Sequence, residues 1–196
     1  MRAALRVEGW KLFRSRVPLV AALLLVLGLP SLALAELPAG THAPAFSARA
    51  AHGGEDLTFT LSEALKKGPV VVYFYPKSFT SVCTEEAYLF AEAMPEFETL
   101  GSSVIGISTD PIETQRAFSR EACRDKFPVA ADPEGEIVKS YDVVGWKQGD
   151  SIFADRTSYV ITPNGEIASV LTAGDAGSHI QSALKSVKAW KARQAE

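Results

Sequence analysis

The chain has 196 residues, 47 % of them hydrophobic, and a formal charge of −3 from 20 basic and 23 acidic side chains. Five basic residues but only one acidic residue lie in the first 35, which leaves 15 against 22 in residues 36–196 and a formal charge near −7. That balance excludes a nucleic-acid binder or a partner of anionic membranes, and it suits a small uncharged substrate.

Residues 1–35 have the layout of a secretory signal peptide. Arg2, Arg6, Lys11, Arg14 and Arg16 form a basic start, residues 17–29 are almost wholly apolar, and Pro30 breaks the run. Ala33 and Ala35 then place small residues at a cleavage position before Glu36. The apolar run falls short of the roughly 20 residues that a spanning helix needs. No cysteine follows Ala35 to carry a lipid, and Arg14-Ser15-Arg16 lacks the adjacent pair of a twin-arginine leader. The sequence therefore predicts an exported protein, periplasmic in a Gram-negative cell, cleaved after Ala35 and without stable membrane insertion. Residues 36–196 are the length of one domain.

After a polar lead-in at 36–44, residues 46–59 read as a hairpin about Gly53-Gly54, and 61–67 as a brief helix with Ser62 as its N-cap. Residues 70–75 form a continuous apolar, β-branched and aromatic run, the pattern of a strand buried on both faces, and Pro76 ends it. A helix is predicted from 81–84 to about 100, kinked or divided by Pro95. Residues 103–108 repeat the buried-strand pattern. Asp110, Pro111 and Glu113 then supply an N-cap, a proline at N1 and an acidic N3 for a helix to about 126. Residues 127–132 add a strand, 135–141 a short helix, and 157–162 with 166–171 a hairpin about Pro163-Asn164-Gly165. Residues 178–181 have the form of a capping box for a last helix, with Ile180, Leu184, Val187 and Trp190 on one face. Alternating strand and helix at the centre favours a parallel βαβ core with right-handed crossovers. The expected fold is α/β and thioredoxin-like, a mixed central sheet with flanking helices.

By composition alone the two cysteines, Cys83 and Cys123, would be a structural disulfide of an exported protein. The surroundings of Cys83 point elsewhere. It follows a buried strand and falls in the first turn of a helix, where unpaired N–H groups and the helix dipole favour negative charge. An ordinary thiol, with a pKa of about 8.5, is only a few per cent thiolate at neutral pH, so a nearby cation would have to add to that push.

Pro76, Thr80 and Cys83 reproduce a Pro-x-x-x-Thr-x-x-Cys signature, and Asp155-Arg156-Thr157 places an arginine just before a predicted strand. In these residues the chain resembles the peroxiredoxins. Through residues 73–80 and Cys83-Thr84-x-Glu86 it looks most like their bacterioferritin-comigratory or Q-type branch, and the resemblance runs from about Leu37 to the C-terminal helix. It implies a thiol-dependent peroxidase acting on hydrogen peroxide and organic hydroperoxides, without metal or organic cofactor. The Cys83 thiolate would attack the peroxide and become a sulfenic acid. Pro76 would shield the sulfur, and the Thr80 hydroxyl would bond the sulfur or the peroxide oxygen. Arg156 would hold the thiolate and the charge developing on the O–O bond, oriented by Glu86, and the N–H groups of Val82 and Cys83 would complete the pocket.

Members of this branch often carry a second cysteine five positions on, where this chain has Tyr88. The resemblance then leaves Cys123, on the helix from Asp110, as the resolving residue of an intramolecular disulfide, the alternative being a buried, inert thiol. Local unwinding around Cys83 would be required, because a disulfide needs Cα atoms within about 7 Å. The implied partner is a thioredoxin-like or other thiol reductant, and the lack of a long C-terminal segment implies a monomer.

Two other readings stay open at this point. A thiol-disulfide oxidoreductase on the same fold would want Cys-x-x-Cys where residues 80–83 read Thr-Ser-Val-Cys, and a metal- or partner-binding module would want paired cysteines with a histidine nearby. His42, His52 and His179 are scattered, which suggests surface or capping roles, and Trp146 lies in an expected loop where it packs beside the site or anchors elsewhere.

Overall fold

The computed structural model describes residues 36–195, and the predicted leader at 1–35 lies outside them. Strands β1 (Ser47–His52) and β2 (Glu55–Thr60) form the predicted hairpin, and Gly53 and Gly54 turn it with φ of 57° and 83°, the left-handed region open to glycine. Helix α1 (Leu61–Leu65) follows, with Thr60 rather than Ser62 at its N-cap.

β3 (Val70–Phe74) is buried at every position. It is flanked by β4 (Ser103–Ser108) in parallel and β8 (Thr157–Ile161) antiparallel. β5 (Val129–Ala131) extends the parallel core beyond β4, and β9 (Ile167–Thr172) pairs with β8. The seven-stranded order is β2-β1-β5-β4-β3-β8-β9, a mixed sheet with helices on both faces, as the alternation predicts.

The side-chain alternation of β3 divides the core in two. Val71, Tyr73 and Tyr75 face one cluster with α2 (Ser81–Thr99) and α5 (Ala176–Arg193), while Val70, Val72 and Phe74 face the other with α1 and α4 (Glu136–Ser140). Gly106 of β4 is obligatory for this packing, since a Cβ there would lie 2.6 Å from Cζ of Tyr73.

Pro95 lies inside α2, which is not divided by it. Four further local expectations are corrected. α3 (Ile112–Glu121) has Pro111 at its N-cap, while the Asp110 carboxylate is engaged elsewhere. α3 also stops five residues early: Arg124 and Asp125 both take positive φ, 54° and 56°, which no helix continues, so Cys123 sits in the turn after the helix. α5 begins at Ala176, because Asp175 is the cap and accepts the Ser178 N–H at 2.9 Å. Between α4 and β8 the expected loop is a two-stranded hairpin, β6 (Val144–Gln148) and β7 (Ser151–Ala154), where exposed Trp146 stacks on Phe153 with centroids 5.0 Å apart.

Candidate active site

The site is built where β3 ends. Tyr75 continues the strand's bonding by donating its N–H to the Ile107 carbonyl at 3.1 Å, and its hydroxyl donates to Gln115 Oε1 of α3 at 2.7 Å. Loop 76–80 then turns toward α2. The Ser78 N–H donates to Asp110 Oδ2 at 2.7 Å, and Phe79, held at φ 64°, lays its ring edge-on against Phe118 at 5.2 Å. A bulky residue at positive φ costs on the order of 1–3 kcal/mol, and the contacts with Asp110, Gln115 and Phe118 oppose that cost. Asp110, predicted to cap α3, instead fixes the loop that precedes the reactive cysteine.

Thr80 is the N-cap of α2, and Thr84 is the first residue whose N–H finds a helical acceptor, the Thr80 carbonyl at 2.9 Å. The amides of Ser81, Val82 and Cys83 precede that bond and are the unpaired donors of the helix start. Cys83 is 1 % exposed. Thr80 is exposed, and its hydroxyl donates to the Lys77 carbonyl at 3.0 Å rather than to the sulfur. Pro76 is half-buried at the mouth of the loop.

Arg156 reaches the sulfur from the start of β8. The β3–β8 register pairs Phe74 with Thr157, so the residue before Thr157 emerges at the end of β3 from which the loop to Cys83 departs. Its Nη2 donates to Cys83 Sγ at 3.3 Å, and its Nη1 donates to Glu86 Oε2. Burial works against the guanidinium charge, but the Glu86 carboxylate and the Cys83 sulfur outweigh it and hold Arg156 above its ordinary value. Glu86, on the same face of α2 as Cys83, has no exposed surface. Burial pushes its carboxyl up to about 8 despite the lowering by Arg156, and its Oε1 has no hydrogen-bond partner.

His179 was expected at the surface or at a cap; it is fully buried against this group. Its Nε2 lies 3.1 Å from the Ala173 carbonyl, and its Nδ1 lies 2.8 Å from Ser158 Oγ and 3.8 Å from Glu86 Oε1. A sequence signal for it existed: read from Ala176, the buried positions of α5 are 176, 179, 180, 183 and 187, a helical stripe that includes the histidine.

Cys123 does not join the site. Both cysteines are free, and they occupy separate parts of one apolar cluster without being adjacent. Cys123 lies against Tyr73 and is wholly buried, and burial with the nearby Asp125 carboxylate raises its thiol far above the ordinary value. Trp146 lies away in the β6–β7 hairpin. A cavity of about 470 Å³ between the β8–β9 turn and the end of α5 contains none of these residues.

A thiol at a helix N-terminus with a guanidinium on its sulfur can hold a negative charge and neutralise a second one forming beside it. Comparison with known proteins agrees with that chemistry. Residues 39–170 match the AhpC/TSA family. A Mycobacterium tuberculosis protein bearing a peroxiredoxin name is 33 % identical over 130 residues, spanning 66 % of this chain and 84 % of that one. Peroxiredoxin Bcp of Xanthomonas campestris is 28 % identical over 123 residues, 61 % of this chain and 76 % of its own. The crystal structure of peroxidoxin BcpB from Mycobacterium tuberculosis superposes with a TM-score of 0.71 at 29 % identity, covering 78 % of this chain and 97 % of that one. The chain belongs to the AhpC/TSA family and is a peroxiredoxin similar to the Bcp and Q-type members.

Proposed function

We propose that this thiol-dependent peroxidase reduces hydrogen peroxide and organic hydroperoxides through Cys83, with Arg156, Thr80, Pro76 and the amides of Val82 and Cys83 as the surrounding machinery. The observation that carries the assignment is the 3.3 Å bond from Arg156 Nη2 to Cys83 Sγ at the first turn of α2. The Cys83 thiolate attacks one peroxide oxygen, and an S–O bond forms as the O–O bond breaks. The sulfur is left as sulfenic acid, and the departing oxygen takes a proton to leave as water or alcohol. Arg156 stabilises the charge moving from sulfur to the leaving oxygen. The Thr80 hydroxyl donates to the Lys77 carbonyl and would leave that bond to meet the incoming peroxide.

For resolution we favour attack by Cys123 on the sulfenic sulfur, which releases water and forms an intramolecular disulfide that a thioredoxin-like or other dithiol then reduces. Both cysteines are buried and apart, so this step requires opening of the first turn of α2 and of the turn at 122–126. The second reading keeps Cys123 inert and reduces the sulfenic acid directly, and it is favoured by the burial that holds Cys123 as a thiol. One peroxide equivalent followed by non-reducing mass mapping separates them: a Cys83–Cys123 crosslink supports resolution, and a persistent sulfenic acid with free Cys123 overturns it. The enzyme assignment itself fails if reduced protein reacts with hydrogen peroxide no faster than free cysteine.

The leader at 1–35 supports export, with periplasmic action as a monomer in a Gram-negative cell. N-terminal sequencing of the cell-derived protein tests it, Glu36 being the expected first residue.

A further inference from the structure

Arg156 divides its charge between two partners, and what lies behind the second partner decides how much remains for the first. Glu86 uses one carboxyl oxygen for Arg156, and the other, Oε1, is buried with no hydrogen bond. Nδ1 of His179 lies 3.8 Å from that oxygen. The tautomer of His179 follows from its other contacts. The Ala173 carbonyl can only accept, so Nε2 carries a hydrogen, and in the neutral ring Nδ1 is then an acceptor that takes the Ser158 hydroxyl hydrogen. Ser158 thereby occupies the Nδ1 lone pair and leaves Glu86 Oε1, as a carboxylate oxygen, buried with no donor. One proton relieves that oxygen, either on Oε1 itself or as the charge of a doubly protonated imidazole 3.8 Å away whose Nδ1–H the Ser158 hydroxyl accepts.

We propose that His179 is a positioning residue of the peroxidase site: with Glu86 it keeps one shared proton behind Arg156, which leaves the guanidinium charge available to the Cys83 sulfur.

While the pair holds that proton it is neutral overall, whether written as carboxylic acid with imidazole or as carboxylate with imidazolium. When the proton leaves, a full negative charge sits against Arg156 and competes with the sulfur and with the charge that forms on the leaving oxygen. The other charged or titratable groups facing the pair are Arg156 ahead of β8, Asp175 at the start of α5, Cys83 on α2 itself and the buried Tyr73 phenol of β3. Arg156 favours loss of the proton and Asp175 its retention, while burial favours it on Glu86 and disfavours it on His179. Burial places this ionisation of Glu86 at about 8, within the range where a peroxidase is assayed.

The inference rests on the Cys83–Arg156 reading above and concerns a different observable, the alkaline side of the pH–rate profile. The second-order rate with hydrogen peroxide is measured from pH 5 to 10 on full-length reduced protein, alongside iodoacetamide alkylation of Cys83 and thermal melting. The wild type is expected to lose peroxide rate above a midpoint near 8 while alkylation of Cys83 does not fall. Glu86→Gln, which cannot ionise, should abolish that decline. His179→Gln can donate an amide hydrogen to Glu86 Oε1, which favours the carboxylate, and should move the midpoint to lower pH by at least about one unit. His179→Leu offers no partner and should move it to higher pH. A purely space-filling histidine would change melting temperature and overall rate but leave the midpoint in place in His179→Leu, which brings no new partner to Oε1. Wild-type Cys83 that behaves as an ordinary, unreactive thiol would sink the assigned site itself. A reactive Cys83 whose alkaline limb is unmoved in both His179 variants would sink only the role of the histidine.

Discussion

Cys83 and Cys123 are equally buried, belong to one apolar cluster and are both free, yet their surroundings oppose each other. Cys83 stands in the first turn of α2, beside unpaired amides and within 3.3 Å of a guanidinium. Cys123 stands just beyond the end of α3, beside the Tyr73 hydroxyl and near Asp125, with no cation acting on its thiol. Burial alone raises a thiol by removing water from the charged form. What sets the two thiols apart is therefore which end of a helix each occupies and which charge faces it, and exposure does not decide it.

The most severe way to break this contrast is to remove either sulfur. Cys83→Ser should abolish peroxide reduction, by more than about 10⁴-fold in stopped-flow rate, since an alcohol at this position is not ionised. Cys123→Ser should leave the first, oxidising turnover near wild type and affect only recycling by a dithiol. Equal losses in the two variants would mean that the difference in environment is not functional.

Alkylation kinetics sharpen the contrast without mutation. At pH 7 iodoacetamide should label Cys123 more than about 10³-fold more slowly than Cys83, because Cys123 must both open to solvent and ionise. Comparable labelling by peptide mass mapping would contradict the raised thiol. Arg156→Met should then lower the peroxide rate by about 10²-fold or more, as loss of an aligned charge does, and bring the Cys83 reactivity toward that of an ordinary thiol. Lysine at the same position should restore only part of the rate, for it cannot serve Cys83 and Glu86 with two fixed N–H groups.

The remaining expected effect is on stability. The Glu86 carboxyl goes from an ordinary 4.5 to about 8 in the fold, so between those values the native chain keeps a proton that the unfolded chain has released. Stability therefore falls as pH rises through that window, by at most about 1.4 kcal/mol per pH unit for one proton. His179 is shifted the other way, below 6.5, and stabilises the fold increasingly as pH rises to that value. The decline is cleanest from 6.5 to 8, and urea melts of Glu86→Gln should lack it.

The sequence by itself determined whatever depends on neighbours along the chain. The buried run at 70–75, the helix start carrying Cys83, the glycine turn at 53–54 and the Asn164-Gly165 hairpin are all local, and each stands where the residues place it. Their physics is torsional preference and apolar periodicity, which a short window contains. Arg156 was legible by its resemblance to a family motif, but its approach to a cysteine 73 positions away is a consequence of the β3–β8 register.

Other features only the tertiary structure decided. Asp110 has a short side chain that can cap its own helix or pin the neighbouring loop, and the position of Ser78 in space selects the second. The early end of α3, and with it the seating of Cys123 in a turn, follows from two successive left-handed residues, Arg124 and Asp125, of which only the aspartate favours that region. His179 became part of the site because Asp175 starts α5 earlier than the serine-led motif suggested, turning the ring inward toward Glu86. A capping pattern is readable in four residues, whereas the partner of a buried charge lies wherever the folded chain brings one.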